Sequence, residues 1–135
     1  MQMIPYLNFE GNCAEAFRFY EQCFGGTLDL TTNDSPSVTE KMPPGWENLI
    51  LNATLFFDGG MIMGSDSPPG QHAAMQGMQA NVIMDDVPKA ERIFAQLAEG
   101  GLVTMAMEKT FWAERFGMVV DRFGTPWMIN CNMSA

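Results

Sequence analysis

Two stretches of this sequence share one helical pattern, and their spacing constrains the fold more than any other feature. In each stretch apolar residues recur at i, i+3, i+7 and i+10, the spacing of one face of an α-helix. The two patterns superpose at an offset of 74 positions, beginning with Cys13 on Val87. The predicted N-caps are Asn12, which has Glu15 three residues on, and Asp86. A Gly-Gly pair ends each helix. The chain is therefore predicted to consist of two similar halves.

Short apolar runs with high β-propensity surround both helices and predict the same order of strands in each half. They lie at residues 3–9, 27–32, 49–57 and 61–64 in the first half, and at 78–84, 102–107, 116–120 and 127–131 in the second. Each half is thus predicted to be a β-α-β-β-β module of an α+β fold. The predicted boundaries are residues 1–66 for the first module, 67–78 for a linker and 79–135 for the second module.

The two modules differ in length because of one loop. The hairpins that close the modules repeat at an offset of 63 rather than 74, so the first module holds eleven more residues. The surplus belongs to TTNDSPSVTEKMPPGWEN, which is rich in turn-forming residues. Each module has one helix for one sheet, and two modules that paired side by side would curl their sheets into a cleft.

Composition limits the size of the protein and the kind of partner that it binds. At 135 residues and 15.0 kDa the chain has room for one domain. Sixteen acidic residues against seven basic ones give a net charge of −9, which disfavours nucleic acid and anionic membranes and favours a neutral or cationic small molecule. The sequence lacks an apolar run of about 18 residues and the basic start of a signal peptide, so a cytoplasmic location is expected.

The three cysteines are predicted to be reduced and structural. Cys13 and Cys23 lie ten positions apart on one predicted helix, a distance of about 15 Å, whereas a disulfide requires Cα atoms within roughly 7 Å. Neither these two nor Cys131 belongs to a Cys-x-x-Cys pair.

Two motifs resemble one known family. PYLNFEGNCAEAFRFYEQCFGG and FWAERFGMVVDRFGTPWMI are similar to the PhnB-like proteins of the vicinal-oxygen-chelate superfamily, which includes glyoxalase I, extradiol dioxygenases and bleomycin-resistance proteins. The resemblance spans nearly the whole chain and implies the glyoxalase/bleomycin resistance fold, in which two modules pair into a curled mixed sheet with a cleft. Older usage gives these proteins a demethylubiquinone methyltransferase name. That activity implies a glycine-rich turn between a strand and a helix, but both Gly-Gly pairs here end helices, so methyl transfer is not expected.

The superfamily resemblance also implies a divalent metal held at four positions, and the residues at those positions here are poor ligands. The positions fall near Pro5, at Gln79 or Ala80, near Met63 and at Met128. Divalent ions favour imidazole and carboxylate ligands, whereas a thioether suits soft ions such as Cu(I). A shift by one residue reaches only Ile4, Tyr6, Ile62, Gly64, Asn81, Trp127 or Ile129. We therefore expect neither a metal site nor another cofactor.

Candidates for catalysis are few. His72, the one histidine, lies in the linker and is not expected to serve as a base for any serine or cysteine. Glu114 or Asp121 could act as a general base if the fold buried it. Glu114 lies next to Arg115, so it could equally well form a surface ion pair with Arg115 on a turn.

The aromatic cluster after residue 110 is the predicted ligand contact. Trp112 lies between Phe111 and Phe116, with Arg115 close by, on a stretch predicted to be a turn at the rim of the cleft. A large amphipathic ring in such a loop is favoured where a ligand stacks. Met63 and Met128 are weaker candidates, because a methionine could equally well fill a core. Trp46 is another weaker candidate, since the loop residues 43–45 could fold it over the cleft as a lid.

Three functions remain open at this point. The first is a metal-free protein that binds a small apolar or cationic molecule. The second is a lyase, isomerase or dioxygenase of the superfamily, either metal-dependent or using Glu114 and Asp121 for proton transfer. The third is a relative whose cleft is filled by its own side chains. Related proteins usually pair two chains, and open strand edges such as MIPYLNF favour pairing, so a homodimer is expected.

Overall fold

The computed structural model describes residues 1–32 and 45–134. Two serines for which His72 was not expected to serve as a base, Ser35 and Ser37, lie outside the described residues, as does the Pro43-Pro44 part of the predicted lid. The chain forms two compact units, Met1–Ala73 and Ala74–Ala135. The first unit contains β1 Tyr6–Phe9, α1 Cys13–Phe24, β2 Thr27–Thr32, β3 Ile50–Phe57 and β4 Gly60–Asp66; the second contains β5 Ala80–Met84, α2 Val87–Ala98, β6 Leu102–Glu108, β7 Ala113–Val120 and β8 Pro126–Met133.

The predicted fold class is confirmed. Each unit has the order β-α-β-β-β and one four-stranded mixed sheet, with strand orders β1-β4-β3-β2 and β5-β8-β7-β6. The first strand of each unit pairs in parallel with the last, and the other pairings are antiparallel. Helices α1 and α2 are both twelve residues long and begin 74 positions apart, as the superposed patterns predict. Of the helices in the described ranges, none combines the length and apolar character that crossing a membrane requires.

In the first unit, α1 packs on the sheet through a fully apolar face that includes Phe17 and Tyr20. The predicted side-chain cap by Asn12 is wrong, because its side chain makes no capping hydrogen bond. Asp66, at the end of β4, takes that role. Its Oδ1 accepts the backbone N–H of Cys13 at 3.0 Å, and its Oδ2 accepts the N–H of Ile50 at 2.8 Å. One carboxylate thus fixes both the start of α1 and the start of β3.

In the second unit, α2 begins as predicted. The side chain of Asp86 accepts the backbone N–H of Lys89 at 3.1 Å, and Pro88 lies in the first turn, where its missing N–H costs nothing. The helix packs on β7 and β8. Its contact is close at Gly117, where an added Cβ would lie 2.7 Å from the ring of Phe94. A larger residue at 117 would force the side chains of Phe94 and Met107 to shift, so the glycine permits the close approach of the Phe94 ring to β7.

The structure corrects the boundary of β7. The strand is predicted to begin at Phe116, after a turn that includes residues 113–115, yet β7 begins at Ala113, and the turn is limited to the residues just before it. The Oγ1 of Thr110 accepts the N–H of Ala113 at 3.1 Å and fastens this shorter turn. Because side chains alternate along a strand, the earlier start determines which of residues 113–116 share a face.

Candidate functional site

The second sheet has one face covered by α2 and an opposite face that carries most of the predicted ligand contacts. Trp127, Ile129 and Cys131 of β8 point toward α2 and are almost completely buried. The residues between them point the other way, and the strand register places their partners on the same side. We call this side the far face and define it by Asn81, Met105, Phe116, Met118, Met128 and Asn130.

Three aromatic rings lie in contact at one end of the far face. The centroid of Trp112 is 4.8 Å from that of Phe111 and 5.0 Å from that of Phe116, both in edge-to-face geometry. The three residues differ strongly in exposure: Phe116 is buried, Trp112 is half-buried, and Phe111 is 91% exposed. The structure thus groups three of the predicted ligand contacts, and Met128 lies on the same face.

A chain of polar side chains connects this aromatic cluster to β5. The indole Nε1–H of Trp112 donates to Oδ1 of Asn130 at 3.0 Å, and Nδ2 of Asn130 donates to Oδ1 of Asn81 at 2.7 Å. Asn130 is 2% exposed, whereas Asn81 is exposed. A buried amide between apolar neighbours is stable only when its polar atoms are hydrogen-bonded, and here both ends of the amide are.

Methionine side chains form the rest of the far face. Met118 pairs with Met128 across β7 and β8, and with Met105 across β6 and β7. The sulfur of Met118 accepts a hydrogen bond from Nε2 of Gln79 at 3.3 Å. Thioethers are polarizable and flexible, so this surface can adapt to apolar ligands of different shape.

Arg115 does not belong to the far face. It neighbours Phe116 in the strand and therefore points to the side of α2, where its Nε donates to Oε1 of Glu91 at 3.1 Å. The ion pair that the sequence suggested between Glu114 and Arg115 is thus formed with Glu91 instead. The carboxylate of Glu114 accepts a hydrogen bond from Nδ2 of Asn132 at 2.7 Å and is exposed to solvent.

Asp121 organises the turn between β7 and β8. Its Oδ1 accepts the backbone N–H groups of Phe123 and Thr125, and its Oδ2 accepts Nε1–H of Trp127 at 2.8 Å. The carboxylate is 3% exposed, and both of its oxygens are engaged in the turn. This geometry favours a structural role for Asp121 over the role of a general base.

The remaining predicted contacts lie in the first unit. Met63 pairs with Tyr6 of β1 and Thr54 of β3, on the face of the first sheet opposite α1. Trp46 is half-buried in the turn before β3, where its carbonyl accepts the N–H of Leu49 at 3.1 Å. A groove of about 420 Å³ also lies in this unit, beside the β3–β4 hairpin, and is lined by Gln2, Met3, Ile4, Gly59, Gly60 and Met61.

The residues at the four metal positions of the superfamily do not fit a divalent ion. The residues that pair with Met63 and Met128 are each next to a predicted position: Tyr6 follows Pro5, and Asn81 follows Ala80. Each unit thus presents one thioether beside a phenol or an amide. Zinc, nickel, manganese and iron favour imidazole and carboxylate ligands. Within residues 1–32 and 45–134, His, Cys, Asp and Glu side chains form no cluster of three or more that could hold a metal ion.

All three cysteines are buried and free. Burial raises the pKa of Cys13, and the nearby Asp66 carboxylate raises it further. Burial also raises the pKa of Cys131, with a smaller contribution from the Glu114 carboxylate. Both thiols are therefore held in the protonated, weakly nucleophilic form.

One serine, Ser67, lies beside the histidine. Oγ of Ser67 is 3.4 Å from Nδ1 of His72. The two residues flank a turn that is closed by the N–H of Gln71 donating to the carbonyl of Pro68 at 3.0 Å. The contact is long for a hydrogen bond and fastens this turn.

Sequence reasoning missed Asn130 and Asn81 as parts of the site. A signal for Asn130 was present, since in the β8 segment WMINC it lies two positions after Met128 and therefore on the same face. Its hydrogen bonds to residues 18 and 49 positions away are long-range and could be seen only in the folded chain.

Comparisons with known proteins place this chain among relatives of one family. A family model described as 3-demethylubiquinone-9 3-methyltransferase matches residues 1–130. Protein YjdN of Escherichia coli (strain K12) is 35% identical to this chain over an aligned length of 139 residues. The alignment covers 96% of this chain and 95% of that protein.

Solved structures show the same fold. Protein PA1353 from Pseudomonas aeruginosa is 41% identical with a TM-score of 0.87, and the match covers 99% of both chains. A PhnB protein from Bacillus cereus, described as a putative 3-demethylubiquinone-9 3-methyltransferase, is 24% identical with a TM-score of 0.76, covering 97% of this chain and 99% of that one. A glyoxylase/bleomycin resistance protein/dioxygenase domain from Frankia sp. EAN1pec shares the fold at 10% identity, with a TM-score of 0.67 over 98% and 97% of the two chains.

Proposed function

This chain belongs to the PhnB-like family that carries the description 3-demethylubiquinone-9 3-methyltransferase, and from that premise we propose that it binds a small apolar or cationic molecule on the far face without a metal. The observation that carries the proposal is the grouping of Trp112, Phe116 and Met128 on one face of the second sheet. Aromatic rings and thioethers favour apolar ligands. Aromatic faces and a net charge of −9 also favour a cation over an anion.

Binding without a metal is favoured by the donor atoms at, and next to, the metal positions that the superfamily resemblance implies. Met63 and Met128 supply thioether sulfur where hard or borderline ions favour carboxylate. Tyr6 and Asn81, beside them, supply a phenol and a neutral amide.

Methyl transfer is also left out of the proposal. Nucleotide cofactors bind at a glycine-rich turn between a strand and the following helix. In this chain Gly25-Gly26 follow α1 and Gly100-Gly101 follow α2. The turn from β5 into α2 is Asp85-Asp86, whose carboxylates would repel a phosphate.

The proposal is tested by binding to chelator-treated protein. Elemental analysis should give well under one equivalent of Zn, Ni, Mn or Fe. In protein labelled at the methionine methyl carbons, 2-ethylnaphthalene and (2-naphthylmethyl)trimethylammonium should then shift the Met118 and Met128 NMR signals, and 2-naphthalenesulfonate should bind more weakly than either.

Two results would contradict this proposal. If neither probe shifted the Met118 and Met128 signals at millimolar concentration, the far face would not be a binding surface. One equivalent of tightly held metal per chain would instead favour the lyase, isomerase or dioxygenase alternative.

We also propose that the protein is a homodimer. Strand β6 is an end strand of the second sheet, and it exposes Leu102, Val103 and Met105, which lie on both of its faces. Exposed apolar side chains on an end strand are commonly covered by another chain. Light scattering should give about twice the chain mass of 15.0 kDa. A mass near that of one chain across a range of concentrations would refute the dimer.

A further inference from the structure

The hydrogen bonds among Trp112, Asn130 and Asn81 have a direction that is fixed by the indole. An indole N–H can only donate, so the Asn130 atom that faces it must be the carbonyl oxygen. The amide nitrogen of Asn130 therefore faces Asn81, and the Asn81 atom that receives it must be an oxygen. We call these three side chains the amide relay.

The direction of the amide relay determines what Asn81 presents to a ligand. Because its Oδ1 accepts from Asn130, its Nδ2 points away from the relay as a donor. Asn81 is exposed, and among the residues that the structure describes its Nδ2 has no hydrogen-bond partner. The far face thus offers one oriented N–H donor beside Met128, its register partner.

We infer that the amide relay makes the far face selective for a ligand that presents an uncharged carbonyl oxygen to Asn81 from an apolar body. The inference rests on the proposed binding function and narrows its ligand class. A site built to donate a hydrogen bond discriminates against analogues that lack the acceptor, because the donor then loses its water without gaining a partner.

The charges around the relay argue against an anionic acceptor such as a carboxylate or phosphate. Glu108 pairs with Phe116 across β6 and β7, so its exposed carboxylate is on the side of the far face. Glu114, two residues before Phe116, points to the same side. Both carboxylates would repel an anion, whereas they leave a neutral carbonyl unaffected.

The test compares two probes that differ only in the acceptor, 2-acetylnaphthalene and 2-ethylnaphthalene. The ketone should bind about fivefold more tightly, the ratio that one hydrogen bond of ordinary strength supplies. It should also shift the side-chain amide signals of Asn81 in a ¹⁵N-labelled sample. The anion 2-naphthoate should bind more weakly than the ketone.

Two variants of equal charge separate the effect of the amide relay on ligand preference from the effect of an added negative charge. Asn81→Asp still accepts from Asn130 but presents a carboxylate oxygen outward, so the preference for the ketone should disappear. Asn48→Asp adds the same charge at an exposed position of the first unit and should keep the preference.

Three outcomes of these titrations would overturn the relay inference. If both naphthalenes shifted the Met128 methyl signal with equal affinity, the relay inference would be overturned while the proposed function stood. A ketone preference that persisted in Asn81→Asp would also overturn it. If neither probe shifted Met118 or Met128, the inference and the proposed function would fail together.

Discussion

Replacing Asp121 with Asn is expected to lower the free energy of unfolding by about 2–3 kcal/mol, although the two side chains have nearly the same size. The carboxylate accepts hydrogen bonds at both oxygens, from two backbone N–H groups and from the indole of Trp127. An amide has only one oxygen, so its NH₂ group must face either the indole N–H or the backbone donors. Asp121, Thr125 and Trp127 are all at most 3% exposed, so water has little room to replace the lost acceptor.

The repeat in the chain provides a matched control. Asp58 occupies the corresponding hairpin of the first unit but is exposed, so Asp58→Asn should change stability by no more than about 0.5 kcal/mol. Urea unfolding of both variants at neutral pH measures the difference. Equal stability of Asp121→Asn and the unchanged protein would show that the turn does not depend on the carboxylate.

The elements of the fold could be predicted because their signals are local. Apolar spacing and glycine pairs identified α1 and α2, and both helices begin at the residues that the offset of 74 aligned. Strand β2 has the predicted bounds, and the other strands differ from prediction by a few residues at their ends. Periodicity and caps are properties of neighbouring residues, so they can be read from the chain before it folds.

The contacts that fix the helix start could not be predicted in the same way. Asn12 is a favourable N-cap by residue type, but Asp66, 53 positions from Cys13, provides the capping carboxylate. Nothing within the α1 segment indicates which distant residue the folded sheet brings to its first turn. Local propensity therefore gave the correct helix with the wrong cap.

The placement of the candidate-site residues was predicted in part, and the strand boundary explains where Arg115 differs. Phe116 and Arg115 were grouped because both lie on the stretch that was predicted to form the rim of the cleft. In β7 adjacent side chains must point to opposite faces, so Phe116 joins the far face while Arg115 pairs with Glu91 of α2. The aromatic residues were identifiable by type, whereas Asn130 and Asn81 gain their role only from pairing across β8 and β5.

Replacing Trp112 with Ala is expected to weaken probe binding strongly while reducing stability only modestly. The residue is half-buried and held by two ring contacts and one hydrogen bond, so its loss should cost about 1–2 kcal/mol. Trp127 is 1% exposed in the core, and Trp127→Ala should cost about 3–5 kcal/mol. Binding of 2-ethylnaphthalene to Trp112→Ala should weaken by about tenfold or more, as expected for removing an aromatic anchor.

The conservative variant Trp112→Phe separates the two contributions of this side chain. A phenyl ring keeps an aromatic surface against Phe116 but has no N–H, so it no longer fixes the direction of the amide of Asn130. Asn81 can then present either its oxygen or its nitrogen to a ligand. We expect Trp112→Phe to retain most of the affinity for 2-ethylnaphthalene and to lose the preference for 2-acetylnaphthalene, measured by the same NMR titrations. If Trp112→Ala instead lost 3 kcal/mol or more of stability with probe binding intact, Trp112 would be a core residue, and the binding surface would have to lie elsewhere.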